Sequence, residues 1–229
     1  MSFRVVFLDR DFARTSQPEV EFTVETMRWT IEGGAETAVL RGDGRRVAVG
    51  ELDGLLRCPV EIYNGLDEMV WWGFVSTVQY GAGKRRVSVS LEEMANRIMV
   101  RYTMLAPAGQ MGEICQTGWA DDLVSQAVYG VKELILERDG LDEQSAEQVR
   151  DMALAERSKP QVTVKHLGED DFGVRLVCAG WMDSLKWKYV QPTAGMIANS
   201  PSQVGVQWLG YNYADLWLAQ SITPMEDIA

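Results

Sequence analysis

Pro59-Val60-Glu61-Ile62-Tyr63-Asn64-Gly65-Leu66-Asp67-Glu68-Met69-Val70-Trp71-Trp72-Gly73-Phe74-Val75 is the stretch that decides the fold. Two β-rich arms flank a polar, glycine-containing turn, the pattern of an antiparallel hairpin. Asn64-Gly65 is expected to supply the positive-φ residues of a tight turn, with Pro59 to Tyr63 as one arm and Met69 to Tyr80 as the return. Trp71 and Trp72 are adjacent, so a strand sends their rings to opposite faces. One of them can be core, and the other must meet another layer, a partner or a ligand.

Further β signals flank this hairpin. Phe3 to Leu8 is a short strand candidate. Val20, Phe22 and Val24 alternate with polar residues, then Met27, Trp29 and Ile31 do so out of phase, which predicts a strand with a bulge. Thr37 to Arg41 is another strand, closed by a turn at Gly42-Asp43-Gly44. Gly81-Ala82-Gly83 is expected to turn the chain into a new strand over Arg85 to Val89. Ser90-Leu91-Glu92-Glu93 has the capping-box spacing and predicts a short helix to about Arg97, with a strand from Ile98 to Met104.

The middle of the chain reads as helical. Trp119 to Tyr129 places Ala120, Leu123, Val124, Ala127 and Val128 on one face and ends at Gly130. Val131 to Leu136 suggests a short extended piece. Asp142 caps a second helix to about Arg157, with Ala146, Val149, Met152 and Ala153 in a stripe and Ser158-Lys159-Pro160 as its stop. Beyond it, alternation returns at Val162 and Val164, at Val174 to Ala179, at Leu185, Trp187 and Tyr189, and in an aromatic stretch from Val204 to Leu218. Gly168 to Gly173 reads as a hairpin loop. The expected fold class is α+β, β-dominated. Residues 1–105 form an N-terminal β domain, 106–160 a helical connecting segment, and 161–229 a second β region with room to continue into a further domain.

Charge narrows the function classes. The 229 residues carry a formal net charge of −11. An acidic surface disfavours phosphate, and so nucleic-acid binding and anionic membranes. Residues 106–160 hold 11 acids against 5 bases, over half of the excess, which marks that segment as the solvated or electrostatically active one. Cys58, Cys115 and Cys178 are far apart and form no CxxC, so free thiols are expected rather than a disulfide framework or zinc site. The N-terminus lacks a signal-peptide pattern, and no apolar run approaches a membrane span.

Chemistry-bearing motifs are scarce. There is no GxSxG, HExxH, GxGxxG or EF-hand loop. Gly83-Lys84 lacks the first glycine and the Ser/Thr of a phosphate loop. His166 is the single histidine, which excludes a multi-histidine metal site within one chain. The doublets Glu92-Glu93, Asp121-Asp122 and Asp170-Asp171 read as helix openings and a loop rather than as paired catalytic carboxylates. No catalytic residue, cofactor site or metal site is therefore assigned. Eight tryptophans stand out instead, and Trp71, Trp72, Trp181, Trp187 and Trp208 are the candidate interface residues.

Several segments, in order, resemble tail-tip proteins of long-tailed, siphovirus-like bacteriophages. Thr26 to Ala38 resembles their early hairpin. Leu55 to Tyr63 followed by Val70-Trp71-Trp72-Gly73-Phe74-Val75 resembles their extended arm, turn and W-G-x-V hairpin. Met94 to Tyr102 resembles the helix-to-strand passage after it. Ser125 to Gly130 and Ala146 to Asp151 resemble the S-x-x-x-Y-G and A-x-x-x-R-D helical segment of baseplate hub proteins, and Ala179 to Tyr189 a later strand pair. No single motif is specific; the succession carries the resemblance. It implies two tail-tube-like β modules, of sandwich or split-barrel type, joined by a two-helix segment. It also implies a non-enzymatic structural protein of the virion, a homo-oligomeric ring (a trimer, or alternatively a hexamer) below the tail tube. Its partners would be other tail proteins, namely the tube or distal tail, the tape measure and fibres, assembled in the host cytoplasm. DNA would pass an acid-lined lumen without specific binding. Relatives of this kind commonly continue beyond Leu218 to Ser221. Three alternatives stand beside the hub: a distal-tail adaptor ring, a carbohydrate-binding host-recognition module, and a wall-degrading hydrolase.

Overall fold

The computed structural model describes residues 3–13, 20–31, 34–43, 52–104 and 112–189. Among the described residues, eleven strands run in chain order: β1 (Arg4–Phe7), β2 (Thr23–Thr30), β3 (Gly34–Asp43), β4 (Pro59–Tyr63), β5 (Met69–Ser90), β6 (Arg97–Met104), β7 (Ile114–Gln116), β8 (Ala120–Asp121), β9 (Glu133–Leu141), β10 (Gln161–Asp171) and β11 (Gly173–Gly180). Helices α1 (Leu123–Tyr129) and α2 (Glu143–Arg157) flank β9, and a 3-10 helix covers Trp181–Trp187. The chain is β-dominated, with open sheets. Two compact units form. The first comprises Met1–Met94, Ala127–Tyr129 and Ala155–Asp183, and the second Ala95–Gln126, Gly130–Leu154 and Ser184–Ala229.

The first unit is built on a seven-stranded antiparallel sheet, ordered β1-β4-β5-β11-β3-β2, with β10 also paired to β5. The β4–β5 hairpin forms where the sequence placed it, with Ile62 opposite Trp71 and Glu61 opposite Trp72. Its turn works differently from expectation. The positive φ falls on Asp67, at 62°, rather than on Asn64-Gly65. The Asn64 side chain does the closing, since its Oδ1 accepts from the Leu66 and Glu68 amides at 2.9 and 3.0 Å.

Gly81-Ala82-Gly83 does not turn the chain. β5 continues through it to Ser90, a strand of 22 residues. Gly83 takes a φ of 62°, and Gly81 lies so close to the Asp171 backbone that any Cβ would collide with it. These glycines absorb a register change instead. Between His166 and Asp171, four residues of β10 face a single residue of β5. The expected hairpin loop at Gly168 to Gly173 is also corrected. β10 and β11 both run antiparallel to β5, from Gln161 opposite Ser90 to Gly180 opposite Gly73. They are two lengths of one long return path, so residues 161–180 complete the first sheet rather than found a second one. Likewise Gly42 and Asp43 pair within the sheet, opposite Val174 and Gly173, and do not form a turn.

The predicted bulge in β2 is present, between Val24 and Thr26, and a second lies between Arg28 and Trp29. Leu40, Val60, Ile62, Trp71, Phe74, Val75, Val78 and Leu176 are buried, and the Phe7 and Phe22 rings pack with centroids 5.4 Å apart. Burying such side chains stabilises the sheet by roughly 1.5–3 kcal/mol each.

In the second unit, β6 is central to a four-stranded sheet, antiparallel to β7 and β8 on one side and parallel to β9 on the other. Val100, Tyr102 and Ala146 form its core, with Leu136, Leu141 and Val149 against them. The capping-box helix at Ser90 is absent. Ser90 Oγ accepts from the Glu92 amide at 3.2 Å, a local turn. Its neighbour Asn96 explains why the chain stays irregular here. Buried completely, it donates to the Gly130 carbonyl at 2.9 Å and to Ser125 Oγ at 3.2 Å, and accepts from the Lys132 amide at 2.8 Å.

α1 is shorter than expected, because residues 120–121 pair with β6 and Asp122 is the N-cap, accepting from the Ser125 amide at 3.0 Å. Its expected apolar face is also reversed: Ser125 is buried, whereas Leu123 and Val124 are exposed. α2 begins after Asp142 as foreseen, but Met152, expected in its inward stripe, is exposed. Leu185, Trp187 and Tyr189 were expected on a strand; Leu185 and Trp187 lie on the 3-10 helix instead. The aromatic stretch Val204 to Leu218 lies outside the described residues. Among the described residues, no helix is long and apolar enough to cross a membrane.

Candidate interaction surface

The alternation of β5 sets the surface. Trp71 is 1% exposed and belongs to the core of the first unit, while Trp72 is 48% exposed on the opposite face. Gly73 follows because no side chain fits there: its Cβ would overlap the Ala179 carbonyl of β11. β11 ends the same way, since a Cβ on Gly180 would overlap the Ala35 carbonyl of β3. The close approach at Gly180 delivers Trp181 beside β5. Its ring lies 5.3 Å from Phe74 and 6.0 Å from Trp72, centroid to centroid, and 5.3 Å from Phe12.

Phe12 was not foreseen as part of any site. It sits at a φ of 63° in a turn that Asp9 holds, its Oδ1 accepting from the Asp11 and Ala13 amides at 3.0 and 2.8 Å. A bulky residue in the left-handed region is strained, and this one is exposed. The one sequence signal was Asp9 itself, spaced for such a turn. Arg57 was also missed. Its guanidinium carbon stands 4.0 Å from the Phe74 ring centroid and 4.9 Å from that of Trp181. Burial lowers its pKa to about 10, opposed by the nearby Asp183 carboxylate, so it stays cationic at neutral pH. Trp29 adds a further exposed ring along β5, its indole N–H donating to the Val70 carbonyl at 3.0 Å. Met69 and Met182 are exposed as well.

The remaining tryptophans named from the sequence lie elsewhere. Trp187 is buried in the second unit, with Lys132 Nζ 5.1 Å from its ring centroid. Trp208 lies outside the described residues. The structure thus brings together Trp72 and Trp181, leaves Trp71 as core beneath, and separates Trp187.

Asp171, Asp121 and Asp122 of the carboxylate doublets are engaged in structure. Asp171 accepts from Arg86 at 2.6 Å and from the Gly173 amide at 2.9 Å. That amide first, and Arg86 second, hold its carboxyl below the usual range, which is unsuited to a general acid. Asp121 lies 3.6 Å from Arg97, and Asp122 caps α1. A shallow cavity of about 170 Å³ on the first sheet is lined by Glu25, Arg41, Gln79, Arg86, Asp171 and Arg175, a charged lattice in which Arg175 pairs with Glu25 at 3.3 Å. His166 is exposed on β10 opposite Arg85. Among the described residues, no three potential ligands converge on a metal position. The three cysteines are free, and burial raises the thiol pKa of Cys58 and Cys178, which keeps them unreactive. Comparison with protein families, with curated proteins and with solved structures finds no match.

Proposed function

We infer that this chain is a structural subunit of a bacteriophage tail tip, a baseplate-hub component that works through protein contacts rather than chemistry. The observation that carries this reading is the aromatic cluster in which the exposed Trp72 and Phe12 pack on the half-buried Trp181, backed by the Arg57 cation. Aromatic side chains with arginine are the usual anchors of protein interfaces. The engagement of Asp121 and Asp171 in ion pairs and of Asp122 as a helix cap supports it, since these carboxylates serve the fold. In this reading the β sheets are tail-tube-like modules, the chain forms a homo-oligomeric ring beneath the tube, and it organises neighbouring tail proteins. A trimer corresponds to the hub and a hexamer to a distal-tail adaptor.

A carbohydrate-binding module would also use exposed rings, but it needs them coplanar. Trp72 and Trp181 are inclined by 48°, and Phe12 and Trp181 by 33°, which favours a protein partner that packs into the angles. Electron microscopy of virions labelled with an antibody against this chain tests the proposal. Label at the tail tip supports it; label on the capsid, or no label on intact virions, overturns it.

A further inference from the structure

In the β4–β5 turn the Asn64-Gly65 pair carries no special backbone conformation, because the positive φ falls on Asp67 and Gly65 does not take one. Its arrangement is chemical instead. Gly65 is exposed, and among the described residues its amide N–H donates no hydrogen bond. With no Cβ on Gly65, that amide nitrogen is open to attack the side-chain carbonyl carbon of the residue before it. Asn64 is the one asparagine in the sequence that glycine follows; Asn96, Asn199 and Asn212 precede Arg97, Ser200 and Tyr213.

The turn readies Asn64 for that attack. Its Oδ1 accepts from the Leu66 and Glu68 amides at 2.9 and 3.0 Å, so two N–H dipoles already face the oxygen on which negative charge develops when a nucleophile adds to Cγ. Its Nδ2, the group that must leave, donates to Glu68 Oε2 at 2.8 Å. These bonds also restrain the side chain, so the attack needs the turn to flex. Residues 65–69 are all exposed, and flexing costs least at such a tip.

We propose that Asn64 is a spontaneous deamidation site and that its isoaspartate product unlatches the β4–β5 turn. The Gly65 nitrogen bonds to Asn64 Cγ, the Cγ–Nδ2 bond breaks, and Nδ2 departs as ammonia with the proton that Gly65 gives up. The succinimide left behind takes up one water. Opening at Cγ gives aspartate, opening at the main-chain carbonyl of residue 64 gives isoaspartate, and in both the new carboxylic acid passes its proton to the ammonia. Aspartate keeps both acceptor bonds and loses only the contact with Glu68, where the facing charges are screened by water. Isoaspartate routes the main chain through Cγ. The acceptor geometry for the Leu66 and Glu68 amides, and the Asn64 carbonyl that accepts from the Asp67 amide at 3.1 Å, are then lost together. The Tyr63–Met69 pair, nearest the turn, is the first to loosen. This reaction lies beyond the subunit reading and does not depend on it.

Peptide mass spectrometry of the full chain, aged at mildly alkaline pH, tests it. The peptide carrying Asn64 should gain about 1 Da and divide into aspartate and isoaspartate forms. The peptide carrying Asn96, which is buried and followed by Arg97, should stay unchanged. Gly65→Ala should slow the gain about tenfold, because a methyl group crowds the attacking nitrogen. Hydrogen exchange over residues 64–69 reads the consequence: faster in the aged, isoaspartate-containing chain than in the fresh one, and close to wild type in Asn64→Asp. An Asn64 peptide that gains mass no faster than the Asn96 peptide, or as fast in Gly65→Ala as in the wild type, overturns the site. Isoaspartate that forms and leaves the exchange of the turn unchanged overturns the unlatching.

Discussion

Replacing Trp71 and Trp72 by alanine, one at a time, separates the two faces of β5. Trp71 is 1% exposed and packs inside the sheet of the first unit; Trp72 is 48% exposed and touches Trp181 at 6.0 Å. Truncating a fully buried tryptophan removes its transfer free energy and leaves a cavity, a cost of roughly 3–5 kcal/mol. Set against a typical total of about 5–15 kcal/mol, that is a large share of the stability. In a chain of this size about 1 kcal/mol moves Tm by roughly 2–4 °C, so Trp71→Ala should lower Tm by about 10 °C. Trp72→Ala loses only partly buried area and one tilted ring contact, worth about 1 kcal/mol or less, which predicts a shift of a few degrees at most. Its cost should appear in association instead, where an aromatic anchor is worth about 2 kcal/mol or more. Thermal denaturation followed by circular dichroism reads the first effect and sedimentation the second. Equal losses of Tm from the two variants, or a larger loss from Trp72→Ala, would refute the assignment of faces.

Three other predictions follow from particular contacts. Asn96→Ala removes its hydrogen bonds with the Lys132 amide, the Gly130 carbonyl and Ser125 Oγ together, and should cost about 2–4 kcal/mol in urea unfolding, whereas Glu93→Ala, at an exposed position, should shift stability by no more than about 0.5 kcal/mol. Gly180→Ala forces β11 away from the Ala35 carbonyl and should lose much of the folded signal, while Gly168→Ala, which meets open space, should be near neutral in the same assay. Asp171 has its folded pKa depressed, so it contributes stability above its unfolded value of about 4 and loses it as pH falls through the lower folded value. Acid titration of Tm should therefore fall less steeply below about pH 4 for Asp171→Asn than for the wild type; parallel curves would refute the role given to that carboxylate.

How much of this was readable beforehand depended on whether the signal was local. The β4–β5 hairpin, the opposed faces of Trp71 and Trp72, the bulge in β2 and the Asp142 cap all depend on neighbouring residues, and all were legible. Gly81 and Gly83 misled, because glycine marks a bulge as readily as a turn, and what decides between them is a strand more than 80 residues away. The same distance hid the pairing of β10 and β11 with β5. Ser90 misled for a related reason: a capping box requires a helix to cap, and the three side-chain hydrogen bonds of Asn96 favour an irregular passage. In the candidate surface, Trp72 and Trp181 were visible as tryptophans, but Arg57 and Phe12 gather around them only through tertiary contact. The reversed face of α1 was hidden by the polar bond between Ser125 and Asn96, which overrides the apolar stripe.

Under the proposed function, these sheets hold copies of this chain and its neighbours together. Native mass spectrometry of the purified full chain tests it most directly. The proposed function predicts one discrete closed species, of three or six copies, that Trp72→Ala shifts to monomer. A wild-type spectrum of monomer alone, across the accessible concentration range, would contradict it.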